Sequence, residues 1–140
     1  MPARAMAEWQ GDLRTGTGSF SAGESISGAF SFKTRFEDAP GANPEQLIAA
    51  AHAACFSMAL SAGLADAGTP VTSVKTDATV SLRMVDGAPM ITSIALSTVG
   101  EVPGLDEAGF IAAAEGAKAN CPVSKALAGV PEITLQASLA

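Results

Sequence analysis

Asn43-Pro44-Glu45-Gln46-Leu47-Ile48-Ala49-Ala50-Ala51-His52-Ala53-Ala54-Cys55-Phe56-Ser57-Met58 gathers a helix start, a carboxylate, the only histidine and one of two cysteines into one short stretch. Asn43 can cap the helix, Pro44 suits the first helical position, Glu45 favours the positive end, and Gln46 takes the capping-box position. From there to about Asp66 the chain is alanine-rich and free of proline, with Leu47, Ala51, Ala54, Met58 and Ser61 at roughly helical spacing. Small residues on nearly every face predict a helix packed on several sides. Gly68-Thr69-Pro70 closes it.

Upstream, Met6 to Phe36 is rich in glycine and serine and reads as two or three short antiparallel strands. A turn falls at Gly23-Glu24-Ser25, and the apolar-polar alternation of Ala29 to Phe36 suits a half-buried strand. Glu37 to Ala42 reads as a loop. Downstream, Val71 to Leu82 and Ile91 to Val99 form a predicted hairpin around Asp86-Gly87-Ala88-Pro89. Asp106 to Ala119 reads as an amphipathic helix carrying Phe110, Ile111 and Ala114. A short helical turn from Cys121 and an alternating strand from Ile133 to Leu139 follow. Two helices on one side of an antiparallel sheet would bury this pattern, so the expected class is α+β.

With 140 residues, 48% of them hydrophobic, the chain can bury one substantial core, and residues 1–140 read as a single domain. A net charge of -6, without a basic run, argues against a nucleic-acid partner. Met1 to Glu8 reaches an acidic residue before any apolar core, unlike an export signal. The apolar stretch around the long helix is interrupted by Asn43, Glu45, Gln46 and His52, so no membrane span is expected. The expected compartment is cytoplasmic. There a cysteine pair is catalytic, redox-sensing or simply two buried thiols, and composition does not choose among these.

Cys55 lies among alanines with Phe56 and Met58 after it, which fits an inert buried thiol unless a cation favours the thiolate. Arg35, in a strand-like segment between Phe32 and Phe36, is the best candidate for that cation. It could equally pair with Glu37 or Asp38 as an ordinary surface arginine. Glu45 stabilises the helix start whatever the protein does. Ten residues of helix would set it about 15 Å from Cys55 along the axis, so its chemical role would be to fix the arginine. His52 can share a helical face with Cys55, and a Cys-His pair could carry acyl transfer, but nothing nearby in sequence orients the imidazole. Cys121 precedes Pro122 at a helix start and is the one other thiol with which a Cys55 sulfenic acid could condense. Two distant cysteines and one histidine make no zinc spacing, and Gly16-Thr17-Gly18 lacks a following helix for a nucleotide phosphate. No metal or bound cofactor is therefore expected.

Several separated segments, in order, resemble the OsmC/Ohr family of organic hydroperoxide reductases, and its osmotically inducible OsmC branch in particular. They are Trp9-Gln10-Gly11-Asp12, Thr34-Arg35-Phe36-Glu37, Asn43 to Ile48, Ala50 to Leu60 and Cys121-Pro122-Val123-Ser124. The resemblance implies an intertwined α+β homodimer, with antiparallel sheets packed around long central helices. It implies that Cys55 is the peroxidatic cysteine, Cys121 the resolving cysteine, Arg35 the group activating the thiolate, and Glu45 the carboxylate holding Arg35. An apolar pocket is expected from Phe36, Phe56, Met58 and Phe110, with His52 beside it. The implied substrate is an organic hydroperoxide, and the implied reductant an external dithiol such as a dihydrolipoyl group of a lipoylated protein. A non-enzymatic stress protein binding a small ligand is the competing reading, and a Cys55-His52 acyltransferase a further one.

Overall fold

The computed structural model describes residues 1–140, which divide into two compact units, 1–47 and 48–140. In the first, β1 (Ala5–Gln10), β2 (Thr17–Ala22) and β3 (Ile26–Phe30) form an antiparallel meander in the order β1-β2-β3. Trp9, Phe20 and Phe30 cluster on it, with centroids 5.5 Å apart for Trp9–Phe30 and 6.3 Å for Phe20–Phe30. Glycine is required beneath them at position 18, where a Cβ would stand 2.5 Å from the Phe30 ring and 2.7 Å from that of Trp9.

The strand expected over Ala29–Phe36 stops at Phe30, and Phe32–Phe36 forms a short helix, α1. A local capping box overrides the alternation. Ser31 accepts from the Thr34 amide at 3.2 Å and Thr34 Oγ1 accepts from the Ser31 amide at 2.9 Å. Arg35 therefore projects from a helix, not from a strand.

The long helix, α2 (Pro44–Asp66), starts as its sequence predicts. Asn43 Oδ1 accepts from the Gln46 amide at 2.9 Å, and Gln46 Oε1 from the Asn43 amide at 3.1 Å. Such caps contribute about 1 kcal/mol. Asn43 Nδ2 also donates to the Thr34 carbonyl at 3.0 Å, tying the start of α2 to α1. Contrary to the sequence expectation, α2 is long and apolar enough to meet the criteria for a membrane span, because alanine dominates it and its polar residues are few. Its stripe of His52, Phe56, Leu60 and Leu64 is nevertheless buried in the protein core.

The second unit carries β4 (Ser73–Val85), β5 (Ala88–Glu101) and β6 (Glu132–Leu139) in the order β4-β5-β6. Asp86 and Gly87, with φ of 51° and 81°, make the tight β4–β5 turn expected of an Asp-Gly pair. From Ile94 to Glu101 β5 alternates, burying Ile94, Leu96, Thr98 and Gly100. β6 lies parallel to β5, whereas sequence suggested a wholly antiparallel sheet. The crossover that makes this possible is α3 (Glu107–Asn120) followed by α4 (Pro122–Ala126). The core joins Phe56, Leu60, Leu64, Ile94, Leu96, Phe110 and Cys121, with Phe110 seated over Gly100.

Candidate active site

The first unit builds one cluster of chemistry around Arg35. α1 presents its guanidinium to the first turn of α2, where Glu45 Oε1 accepts from Nε at 3.1 Å and from Nη2 at 2.8 Å. Neither Glu37 nor Asp38 pairs with Arg35. The Glu45 side chain is 9% exposed and that of Arg35 36%, so the carboxylate is spent on orienting a guanidinium that still reaches outward. Arg35 also lies 5.5 Å from the Phe36 ring centroid, and Phe36 packs on Phe32 at 4.9 Å. Trp9, Leu13, Phe30, Phe32, Phe36 and Arg35 line a cavity of about 280 Å³, mostly apolar with one cationic group. A single charge in an apolar wall can orient a ligand that carries one polar end.

The second unit builds the other cluster. α2 positions Cys55, which is half-buried, and Cys121 sits fully buried at the start of α4. The sulfurs are 2.9 Å apart and share a hydrogen bond as free thiols. A covalent disulfide would need about 2.05 Å. Burial pushes the Cys55 thiol up, with a contribution from its contact with Cys121. Burial also acts against the Cys121 thiolate. Its contact with Cys55 and the polar groups of Ser124 and Val123 near the start of α4 outweigh it and bring that thiol below its ordinary value. Within the pair Cys121 is the sulfur more readily ionised.

Behind the thiols, His52 is fully buried and its Nε2 lies 2.7 Å from Ser124 Oγ. Its Nδ1 has no partner, and burial holds the imidazole below its ordinary value. Nothing here orients His52 toward Cys55 as a catalytic base.

The structure thus joins Arg35 with Glu45, and Cys55 with Cys121. Among the expected pocket residues, Phe36 lines the cavity beside Arg35. Phe56 and Phe110 are fully buried core side chains, Met58 is exposed on α2, and His52 faces Ser124. Ser124, Trp9 and Phe32 were given no role from sequence. Ser124 had a signal, since it stands three residues after Cys121 at the start of a helix, where its hydroxyl can return toward the sulfur. No group of three or more histidine, cysteine or acidic side chains is placed to hold a metal ion.

Comparison with known proteins adds a third line. Residues 36–136 match the family model described as OsmC-like protein. The chain is 47% identical over 138 residues to peroxiredoxin OsmC of Escherichia coli strain K12, covering 97% of this chain and 95% of that protein. Its fold is similar to that of an organic hydroperoxide resistance protein OsmC from Legionella pneumophila, with a TM-score of 0.77, 23% identity and 96% of each chain covered. It is also similar to the organic hydroperoxide resistance protein OhrB of Bacillus subtilis, with a TM-score of 0.69, 24% identity and 98% of each chain covered.

Proposed function

The chain belongs to the OsmC family, and on that premise we propose that it is a cysteine-based peroxidase that reduces organic hydroperoxides to alcohols. The observation that carries the mechanism is the 2.9 Å approach of two free thiols, one half-buried and one fully buried.

In the proposed cycle the Cys55 thiolate attacks the terminal peroxide oxygen. The O–O bond breaks, the electron pair leaves on the alkoxide, and a proton completes the alcohol. Arg35, fixed by Glu45, supplies the positive charge that favours the Cys55 thiolate and stabilises the departing oxygen. Cys55 is left as a sulfenic acid, which condenses with the Cys121 thiol to give water and a Cys55–Cys121 disulfide. An external dithiol then restores both thiols by exchange and leaves as its own cyclic disulfide. Dihydrolipoyl groups, free or on a lipoylated protein, fit this role. The cavity beside Arg35 supports an organic substrate, because its aromatic walls gain from burying an alkyl or aryl group and gain nothing from hydrogen peroxide.

The working form in this proposal is a cytoplasmic homodimer. A shallow groove of about 530 Å³ along α2, lined by Met58, Ser61, Ala62, Ala65, Val71 and Val74, is the kind of apolar face a second copy would cover.

The test is turnover of cumene hydroperoxide with a dithiol, comparing the native protein with Cys55→Ser and Cys121→Ser and following disulfide formation by mass. Loss of turnover in Cys55→Ser, with a Cys55–Cys121 disulfide in the native chain, is the expected result. Silence of both thiols toward peroxide would return the protein to a small-ligand-binding role.

A further inference from the structure

The approach of the two thiols depends on how α4 is held. α4 has only five residues, Pro122–Ala126, too few to be stable by their own hydrogen bonds, and unlike the equally short α1 it has no side-chain cap. Cys121 stands at the break between α3 and α4, with φ of -54° and ψ of 126°. Pro122 imposes that break, because the residue before a proline is pushed out of the helical region. The resolving sulfur is therefore carried on a joint, not on a continuous helix.

One side-chain hydrogen bond ties α4 to another element, the 2.7 Å bond between Ser124 Oγ and His52 Nε2 of α2. His52 is fully buried and Ser124 is 8% exposed, so water does not compete for it. His52 lies three residues before Cys55 and Ser124 three residues after Cys121, which is about one turn along each helix. α2 and the start of α4 thus meet at two points one turn apart, the His52–Ser124 bond and the 2.9 Å sulfur contact. Val123 and Leu127 also pack against the core, but apolar contact is non-directional and leaves α4 free to turn about its axis. A hydrogen bond restricts distance and angle together, and so fixes that rotation.

We propose that the His52–Ser124 hydrogen bond is a positioning clamp, which holds α4 on α2 in the rotation that keeps Cys121 Sγ within bonding reach of Cys55 Sγ. This rests on the thiol cycle proposed above and gives both residues a task in its resolving step. There the Cys121 sulfur bonds to the Cys55 sulfur, the S–O bond of the sulfenic acid breaks, and the hydroxyl leaves as water with the proton of the Cys121 thiol. His52 and Ser124 exchange no proton or electron in this step. They set how often the two sulfurs meet, which is their effective concentration.

The experiment measures that concentration directly, by equilibrating the protein with reduced and oxidised glutathione and reading the Cys55–Cys121 disulfide by mass. Two electrons and two protons pass from the cysteines to oxidised glutathione, giving two reduced molecules, so no peroxide is needed. Ser124→Ala and His52→Leu should each lower the effective concentration about fivefold, the effect of one lost buried hydrogen bond. The double variant should be no lower than either single one, because both remove the same bond, and Ser124→Thr, which keeps the hydroxyl, should recover most of the loss. Thr98→Val is the control, since it removes a buried hydroxyl bonded to Thr76 at 3.0 Å on β5, away from α4, and should leave the equilibrium unchanged. With one equivalent of cumene hydroperoxide, Ser124→Ala should also leave more Cys55 sulfenic acid to be trapped by dimedone. An unchanged or raised effective concentration in folded Ser124→Ala would overturn the clamp. So would an equal fall in Thr98→Val, which would mark a loss of general stability. Failure of peroxide to oxidise native Cys55 would overturn the peroxidase reading and with it the resolving task, while the glutathione equilibrium would still decide the clamp.

Discussion

Replacing Glu45 by glutamine isolates what the carboxylate does for Arg35. Gln keeps the shape and one carbonyl acceptor but removes the charge from the two hydrogen bonds, now 3.1 and 2.8 Å long. A charge-assisted hydrogen bond is worth about 1.5–3 kcal/mol against about 0.5–1.5 for a neutral one, so two bonds would lose about 2 kcal/mol in a dry site. The Arg35 side chain is 36% exposed, and solvent screening cuts this to about 1 kcal/mol. If that energy serves to hold the guanidinium where charge develops, oxidation of Cys55 by cumene hydroperoxide should slow about fivefold in Glu45→Gln. Arg35→Ala, which removes the charge itself, should slow it about 10²–10³-fold. Glu45 also sits in the first turn of α2, where any carboxylate stabilises the helix by about 0.3–1 kcal/mol, so a small fall in melting temperature is expected whatever the chemistry. Single-turnover oxidation in a double-mutant cycle separates the two roles. Adding Glu45→Gln to Arg35→Ala should lower stability again without slowing oxidation further. A native oxidation rate in Glu45→Gln, or the same fivefold loss in the Arg35→Ala background, would refute the clamp.

Three other outcomes follow from the geometry. Phe36→Ala, which removes one aromatic wall of the cavity and its packing on Phe32 at 4.9 Å, should raise KM for cumene hydroperoxide several-fold and leave hydrogen peroxide kinetics nearly unchanged; equal effects on both would contradict the proposed binding site. Gly100→Ala would drive a Cβ into the fully buried Phe110 ring, and urea denaturation should show a loss of about 1–3 kcal/mol; an unchanged midpoint would mean that the ring has room to move. His52 is held below its ordinary value of 6.5 by burial, so the unfolded chain takes up its proton first as pH falls. Stability should therefore be unaffected by this group above about pH 6.5 and decline as pH drops through that value, and a urea-midpoint series in His52→Gln should lack that part of the slope.

What was legible in the sequence was local. The Asn43–Gln46 capping box and the Asp86-Gly87 turn each depend on residues a few positions apart, and both formed as read. Across Ala29–Phe36 the period of two competes with the Ser31–Thr34 capping box, and the box prevails by satisfying backbone donors locally. The parallel pairing of β6 with β5 left no trace in periodicity, since alternation reports which face is buried and not which way the neighbouring strand runs. The same limit governed the aromatic residues. Phe36, Phe56 and Phe110 are alike by type, yet Phe36 borders a cavity while the other two fill the core, a distinction made by elements far apart in the chain. Residue count left Cys121 as the one thiol available to pair with Cys55, and the family resemblance assigned the two their roles. It assigned no role to Ser124, whose contact with His52 spans 72 positions.

The placement of the thiols also sets the order of events in the proposed cycle. Cys121 has no exposed surface, so an oxidant arriving from solvent meets Cys55 first, although Cys121 is the sulfur more easily ionised within the pair. In the proposed cycle Arg35 is the group assigned to offset that mismatch. Burial disfavours the thiolate of Cys55, the reachable sulfur, and so leaves it the weaker nucleophile of the two. Once Cys55 carries a sulfenic acid, the balance turns to advantage, because the neighbouring sulfur is already disposed to be the attacking thiolate. Starting from 2.9 Å, it must close a gap of only about 0.9 Å to reach bonding distance, so disulfide formation requires no unwinding of α2 or α4. A resolving thiol held this close acts at a high effective concentration, which shortens the life of the sulfenic acid and with it the chance of irreversible oxidation to the sulfinic acid. Burial, the feature that makes Cys121 a poor target for peroxide, is also what holds it beside Cys55 for the resolving step of the proposed cycle.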